Sequence, residues 1–352
     1  MSAAGSPNVT DGTRHSIGSF FSRIAPAAIL FFLAPLVAEF LLGNLAITML
    51  PVLVVMAPMY GGGALLIREV VRRTGRGWPG MIVLALAYAV LEEGIITQSL
   101  FNPGYLGERL LDYGFLPALG IALPWTLYVL TLHTVWSISV PIALVEVLFP
   151  ERRTTPWLGR PGLAITFVLF AAGSTAITAA TLSTEAFVAP VPQLAGAAAA
   201  VIILIVVAFS LPPARHRPAG AGTRPAPGAW SVGAFSLAAG SIFMLITILT
   251  LILHLSAWWA PVTLYLLLDA VVIVVVRSWS GRREWGDRHR LALAGGALLT
   301  YAWYSFPQPS VTLGNSVIDL IGNAMFAAGA VLLIAVATRR LQRAGSVASS
   351  AA

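Results

Sequence analysis

VPQLAGAAAAVIILIVVAFSL, residues 191–211, contains no charged side chain from end to end. A helix rises about 1.5 Å per residue, so a run of about 20 apolar residues crosses about 30 Å of hydrocarbon. Comparable runs lie on both sides, at about 24–42, 45–66, 79–100, 121–149, 161–182, 230–256, 258–277, 290–306 and 314–337. The pattern predicts an all-α fold, a polytopic transmembrane helical bundle of about ten spanning helices. Composition agrees: 58% of the 352 residues are hydrophobic and 10% are charged, against about 25% charged in a soluble protein. A soluble fold of this length could not hide so much apolar surface from water.

The arginines fix the expected topology. All 21 basic residues are Arg, and Lys and Cys are absent. With the N-terminus inside, the inner segments collect Arg14 and Arg23; Arg68, Arg72, Arg73 and Arg76; Arg152, Arg153 and Arg160; and Arg215, Arg217 and Arg224. The last two groups are Arg277, Arg282, Arg283, Arg288 and Arg290, and Arg339, Arg340 and Arg343. Arg109 alone falls outside. Arg-rich loops resist translocation and favour the anionic inner leaflet. Both termini are therefore expected in the cytoplasm, and the net charge of +7 reads as topology, not as a nucleic-acid surface. The absence of Cys excludes disulfides, thiolate catalysis and Cys-based metal sites, and the absence of Lys excludes Schiff-base chemistry. Arg in place of Lys, with abundant Ala, Gly and Pro, suggests a GC-rich bacterial source and hence a multi-pass protein of the cell membrane.

Five segments follow: a polar cytoplasmic tail at 1–23, a six-helix part at 24–211, a Pro/Gly/Arg linker at 212–229, a four-helix part at 230–338 and a tail at 339–352. Gly43-Asn44 and Ser256 must be tight turns between adjacent helices. The long connection FNPGYLGERLLDYGFLPALG, 101–120, carries turn signals that suggest an ordered cap over the outer face. Gly61-Gly62-Gly63 reads as a place for the second helix to bend.

Ionisable side chains at membrane depth are expensive, so those that remain face a cavity or a partner. In AYAVLEEGIITQSLFNP, 87–103, Glu92 and Glu93 point about 100° apart on one helix. Two adjacent carboxylates in a low dielectric should not both ionise without a cation. Thr97 follows Glu93 by four residues and Ser99 follows Glu92 by seven, so polar character continues along both faces. His133, in YVLTLHTVWSISVPIALVE, 128–146, lies at similar depth on the next, antiparallel helix, with Ser137 and Thr126 on its face. Glu39, near the outer end of the first helix, could close the same cavity. His254 and Asp319 lie near outer ends, and Asp269 sits mid-membrane, where His254 or a retained proton would satisfy it. Glu146 beside Arg152 and Arg153, and Glu69 among Arg68, Arg72 and Arg73, read as interfacial ion pairs.

A Glu-Glu pair within a membrane helix and a His in the next resembles the CPBP (Abi) intramembrane proteases, also described as type II CAAX prenyl protease-like, over about residues 85–140. That family's pattern is EExxxR, FxxxH and HxxxN. Here the Arg position is Thr97, the Phe position is Val129, and no HxxxN follows; His254 is followed at that spacing by Trp258. The resemblance implies Glu92 as water-activating base, Glu93 as its support and His133 as the group that polarises an oxyanion, either through a metal or as a general-base pair.

The residue types leave three uses open. Two carboxylates and an imidazole can hold zinc with an open water position, so Glu92, Glu93 and His133 are candidate metal ligands as well as candidate catalytic groups. The substrate would then be a membrane-embedded peptide or a small molecule. The same acids could carry protons through a transporter of a small solute. They could also be internal glue in a non-catalytic membrane scaffold. The expected partner common to all three is the lipid bilayer.

Overall fold

The computed structural model describes residues 23–213, 222–252, 257–311, 313–314 and 316–350. It is a helical bundle of ten long helices: α1 Arg23–Leu41, α2 Val52–Arg73, α3 Trp78–Ile96, α4 Leu123–Leu148, α5 Arg160–Glu185, α6 Val191–Ser210, α7 Ala229–Ile252, α8 Trp259–Ser280, α9 Asp287–Tyr304 and α10 Val317–Ser350. All but α9 are long and apolar enough to cross a membrane. The exception has a simple cause: Asp287, Arg288 and Arg290 occupy the first turn of α9. Among the described residues the strands are one short antiparallel ribbon, β1 Phe115–Leu116 and β2 Ile121–Ala122, with Phe115 opposite Ala122.

The helices sort into a core and a rim. In α2, α3 and α4, 61–67% of the most apolar window is buried, but only 11% in α5, α6 and α8. The rim helices present Leu, Ile, Val and Phe to lipid on most of their circumference. The helix that is least apolar overall, α9, is packed against α4, α7 and α10. Its Tyr301 stacks on Trp136 of α4 with ring centroids 5.0 Å apart. Phe243 of α7 contacts Trp136, Tyr128 and Tyr265 of α8 in the same aromatic cluster. The expected six-helix and four-helix segments therefore share one core cluster, while two further clusters lie within the six-helix segment.

Two sequence expectations shift. The second helix runs over 52–73 rather than 45–66, because Pro51 caps its start and a short 3₁₀ turn, Ile47–Met49, precedes it. Arg68, Arg72 and Arg73 thus belong to the helix and not to a loop. The tight turn at Gly43-Asn44 is present, with Gly43 at φ +86°, while Ser256 lies outside the described residues. Gly61, Gly62 and Gly63 sit inside the continuous helix α2 and let neighbours approach: the Phe31 carbonyl against Gly61, the Phe170 side chain against Gly62 and the Tyr88 ring against Gly63. Without a hydrophobic drive between helices in lipid, such close packing is a main source of association.

Arg152 donates to the Arg23 carbonyl at 2.8 Å, and Arg340 to the Leu148 carbonyl at 3.4 Å. The start of α1, the end of α4 and the arginines of α10 therefore share one face, the arginine face. The opposite, cap face carries the 97–122 connection. Gln98 takes the left-handed region at φ +58°, and its Oε1 accepts the Ala189 N–H at 2.7 Å. Asn102 Nδ2 and the Leu106 N–H donate to Glu185 at 3.2 and 3.0 Å. The cap is thereby tied to the α5–α6 connection.

Candidate functional site

Three of the spanning helices contain a π-helical segment: Leu36–Leu41 in α1, Glu92–Ile96 in α3 and His133–Ser139 in α4. Such segments are rare and tend to occur where side chains must be re-aimed. Glu39 lies in the first, Glu92 and Glu93 in the second, His133 and Ser137 in the third. Local causes are visible. Pro35 cannot donate to the Phe31 carbonyl, which Gly61 approaches instead. Pro141 cannot donate to residue 137, and Val140 N–H bonds the Val135 carbonyl five residues back. On α3 the Thr97 N–H reaches the Glu92 carbonyl at 2.8 Å, again five residues back, as the chain leaves the helix.

The π segments bring Glu92, Glu93 and His133 together. One ligand atom from each lies within 4.8 Å of the others, and all three side chains are buried. His133 Nε2 is 2.7 Å from Glu93 Oε1, and Nδ1 is 3.1 Å from Glu92 Oε2. Nδ1 also contacts Ser137 Oγ at 3.0 Å. Glu93 is tied down: Ser99 and Thr97 both donate to its Oε2, Thr97 at 3.2 Å. Ser99 is fixed in turn by Trp125 Nε1 at 3.3 Å. Glu92 is held differently, with its Oε2 facing His133 Nδ1.

Helical spacing would have given Ser99 to Glu92. The left-handed turn at Gln98 swings Ser99 back to Glu93, so the hydroxyls of Thr97 and Ser99 both serve one carboxylate.

A second layer surrounds the trio. Tyr60 of α2 stacks on His133 with centroids 6.0 Å apart, and its hydroxyl donates to Glu39 Oε1 at 2.5 Å. Asn44 donates to Glu39 Oε2 at 2.7 Å. Glu39 is thus drawn into the bundle beside the trio rather than out to water. Tyr88, one turn before Glu92, carries a buried hydroxyl beside that carboxylate. Tyr105 of the cap leans toward the cluster; burial, then the negative charge of Glu93 and Glu39, pushes its phenol well above the ordinary value. Tyr60, Tyr88 and Asn44 escaped the sequence reading. The signal for Tyr88 was its i−4 position to Glu92; Tyr60 sits beside the glycines but carries no mark of its own.

Other expected residues lie elsewhere. Thr126 turns back on its own helix, donating to the Ala122 carbonyl at 2.8 Å. Asp319 is the third residue of α10, where its N–H donates to Ser316 Oγ at 3.2 Å, half of a capping box; its carboxylate is buried rather than solvated, with neither oxygen hydrogen-bonded. Its neighbour Asn323 bonds the Ser305 carbonyl at 2.8 Å, against the 43–47 turn and away from the trio. Asp269 accepts a hydrogen bond from Thr131 at 3.2 Å; His254 lies outside the described residues.

The ion pairs on the arginine face are rearranged and go deeper than expected. Glu146 pairs with Arg68 at 3.2 Å and Arg72 at 2.5 Å, in place of Arg152 and Arg153. Glu69 pairs with Arg68 at 2.7 Å and Arg73 at 3.3 Å. Arg68 is fully buried. Its remaining donors reach the carbonyls of Arg152 and Arg153 at 3.0 and 2.9 Å, and its guanidinium lies 3.5 Å over the Trp157 ring. Arg152 and Arg153 thus serve Arg68 through their backbone, and Arg153 pairs through its side chain with Asp287.

The bundle and its buried acids define an integral, multi-pass membrane protein with a polar centre in the spanning region. The profile of an "Uncharacterized membrane protein family" matches residues 28–343, and the chain belongs to that family. No match to the CPBP family accompanies it, so that resemblance rests on residues 85–140 alone. No curated protein and no solved structure matches the chain.

Proposed function

We propose that the protein is a metal-dependent hydrolase working inside the bilayer, with Glu92, Glu93 and His133 as its reacting centre. The observation that carries this is the convergence of three buried ligand atoms within 4.8 Å of one another. A tetrahedral zinc with bonds of about 2.0–2.2 Å sets its ligands about 3.3 Å apart, inside that limit. Charge supports the same reading. Glu39, Glu92 and Glu93 bring three carboxylates, and the basic member of the cluster is His133; a divalent cation compensates such a site in a low dielectric.

The residues divide the work. Glu93, held by Ser99 and Thr97, and His133 Nε2, with Nδ1 oriented by Ser137, are fixed as ligands should be. Glu92, in contact with the imidazole through Oε2 at 3.1 Å, would hold and pass the proton of an attacking water. Bound zinc would supply the Lewis acidity and lower the pKa of that water. Burial keeps bulk water out, so a substrate would reach the site from the membrane. The resemblance to intramembrane proteases suggests a peptide bond as the target.

The test is metal content of the protein purified in mild detergent. Near-stoichiometric zinc is expected in the wild type and not in Glu93→Gln or His133→Ala, with folded yields unchanged. Absence of metal from the wild type after zinc addition would sink the proposal. That outcome would favour a proton-coupled carrier, for which the Asn44–Glu39–Tyr60 chain running from the trio toward the cap-face turn is the supporting feature.

A further inference from the structure

The cap face holds a second feature, apart from the trio. A cavity of about 440 Å³ lies between the cap and the first turn of α6, walled by Phe101, Leu111 and Phe115, with Asp112, Gly120 and Gln193 as its polar side. Its polar side is rich in acceptors. Gln193 Oε1 is buried with no donor, and its amide nitrogen is turned toward Gly120, where a Cβ would collide with it. Asp112 contributes a carboxylate, ion-paired on the solvent side with Arg109.

Position decides what could fill it. Gln193 is the third residue of α6, and Gly120 lies just before α4 begins. The cavity is therefore level with the ends of two membrane-spanning helices, at headgroup height. It adjoins α6, a rim helix whose spanning window is only 11% buried, so lipid stands directly beside it. Exposed Phe115 and Leu119 extend its apolar wall outward.

We propose that this cavity seats the headgroup of a zwitterionic aminophospholipid, phosphatidylethanolamine in chemical class, from the leaflet on the cap face. The primary ammonium donates to Gln193 Oε1 and the Asp112 carboxylate. The phosphate meets the Arg109 guanidinium, and the glycerol and upper acyl chains lie along Phe115 and α6. A quaternary choline cannot donate these hydrogen bonds, and an anionic glycerol headgroup brings no positive charge to Asp112. The site is independent of the hydrolase reading.

The experiment is native mass spectrometry of delipidated full-length protein in detergent, titrated separately with dioleoyl phosphatidylethanolamine, phosphatidylcholine and phosphatidylglycerol. The wild type is expected to retain the ethanolamine lipid at least five-fold more strongly than either other lipid. Asp112→Asn and Gln193→Leu should reduce it to the choline level. Arg109→Ala should weaken all three lipids together, since each carries the phosphate. Equal retention of all three lipids by the wild type would overturn the proposal, as would an ethanolamine preference that survives both Asp112→Asn and Gln193→Leu. Zinc content of the same variants should not change, which separates failure here from failure at the trio.

Discussion

The bundle buries two charged clusters, one toward each face, and they are built on opposite terms. On the arginine face, Glu69 and Glu146 meet Arg68, Arg72 and Arg73, and the spare donors of Arg68 end on backbone carbonyls. Every carboxylate there has a guanidinium. Toward the cap face, three carboxylates share one histidine, which contacts Glu92 at 3.1 Å and Glu93 at 2.7 Å. The first arrangement is closed and can only hold helices together. The second is incomplete by itself, which is what a site that must accept an ion, a proton or a substrate requires.

Removing a charge should therefore act in opposite ways at the two clusters. The largest effect is expected from Arg68→Met, which strips Glu69 and Glu146 of a shared partner inside the bundle. Breaking a buried pair from one side costs about 3–5 kcal/mol, to be read as a lowered midpoint in denaturant titration or loss of folded yield. A loss below about 1 kcal/mol would mean that the arginine network is not structural.

Next in size is the response to metal. Zinc at about a hundred times its dissociation constant should stabilise the wild type by about 2.7 kcal/mol, and Glu93→Gln and His133→Ala not at all. In chelator, Glu93→Gln should melt no lower than the wild type, because it relieves like-charge crowding. A Glu93→Gln variant as damaged as Arg68→Met would erase the contrast between the clusters.

A smaller loss, about 1.5 kcal/mol, is expected for Tyr60→Phe, the scale of a hydrogen bond to a charged group. The ring still stacks on His133, so zinc affinity should change less than in the ligand variants; thermal unfolding with and without zinc checks both. The smallest effect, below about 1 kcal/mol, is expected for Arg153→Ala, whose partner Asp287 lies in a partly exposed rim. A large loss there would move the boundary of the buried network outward.

The order of the helices was legible because hydropathy needs no partner: a run such as 191–211 has one solvent that suits it. The pairing of Glu92 and Glu93 with His133 was legible too, because depth follows from counting residues along antiparallel helices. What the chain concealed was direction. Regular helical spacing assigned Ser99 to Glu92 and gave no reason for Glu39 to join Tyr60. The π segments at 36–41, 92–96 and 133–139 re-aim these side chains, and they depend on a proline, a glycine contact or a chain reversal acting together with the neighbouring helix.

Sequence by itself thus determined a ten-helix membrane bundle, the charge asymmetry of its ends and the identity of the buried trio, because each is a matter of composition and of position along the chain. The tertiary structure alone decided that Glu146 meets Arg68 and Arg72 rather than Arg152 and Arg153, that Gly61 to Gly63 each meet a different neighbour, and that Ser99 serves Glu93 rather than Glu92. Those outcomes rest on which surfaces of separate helices touch, and no spacing within one helix can specify them.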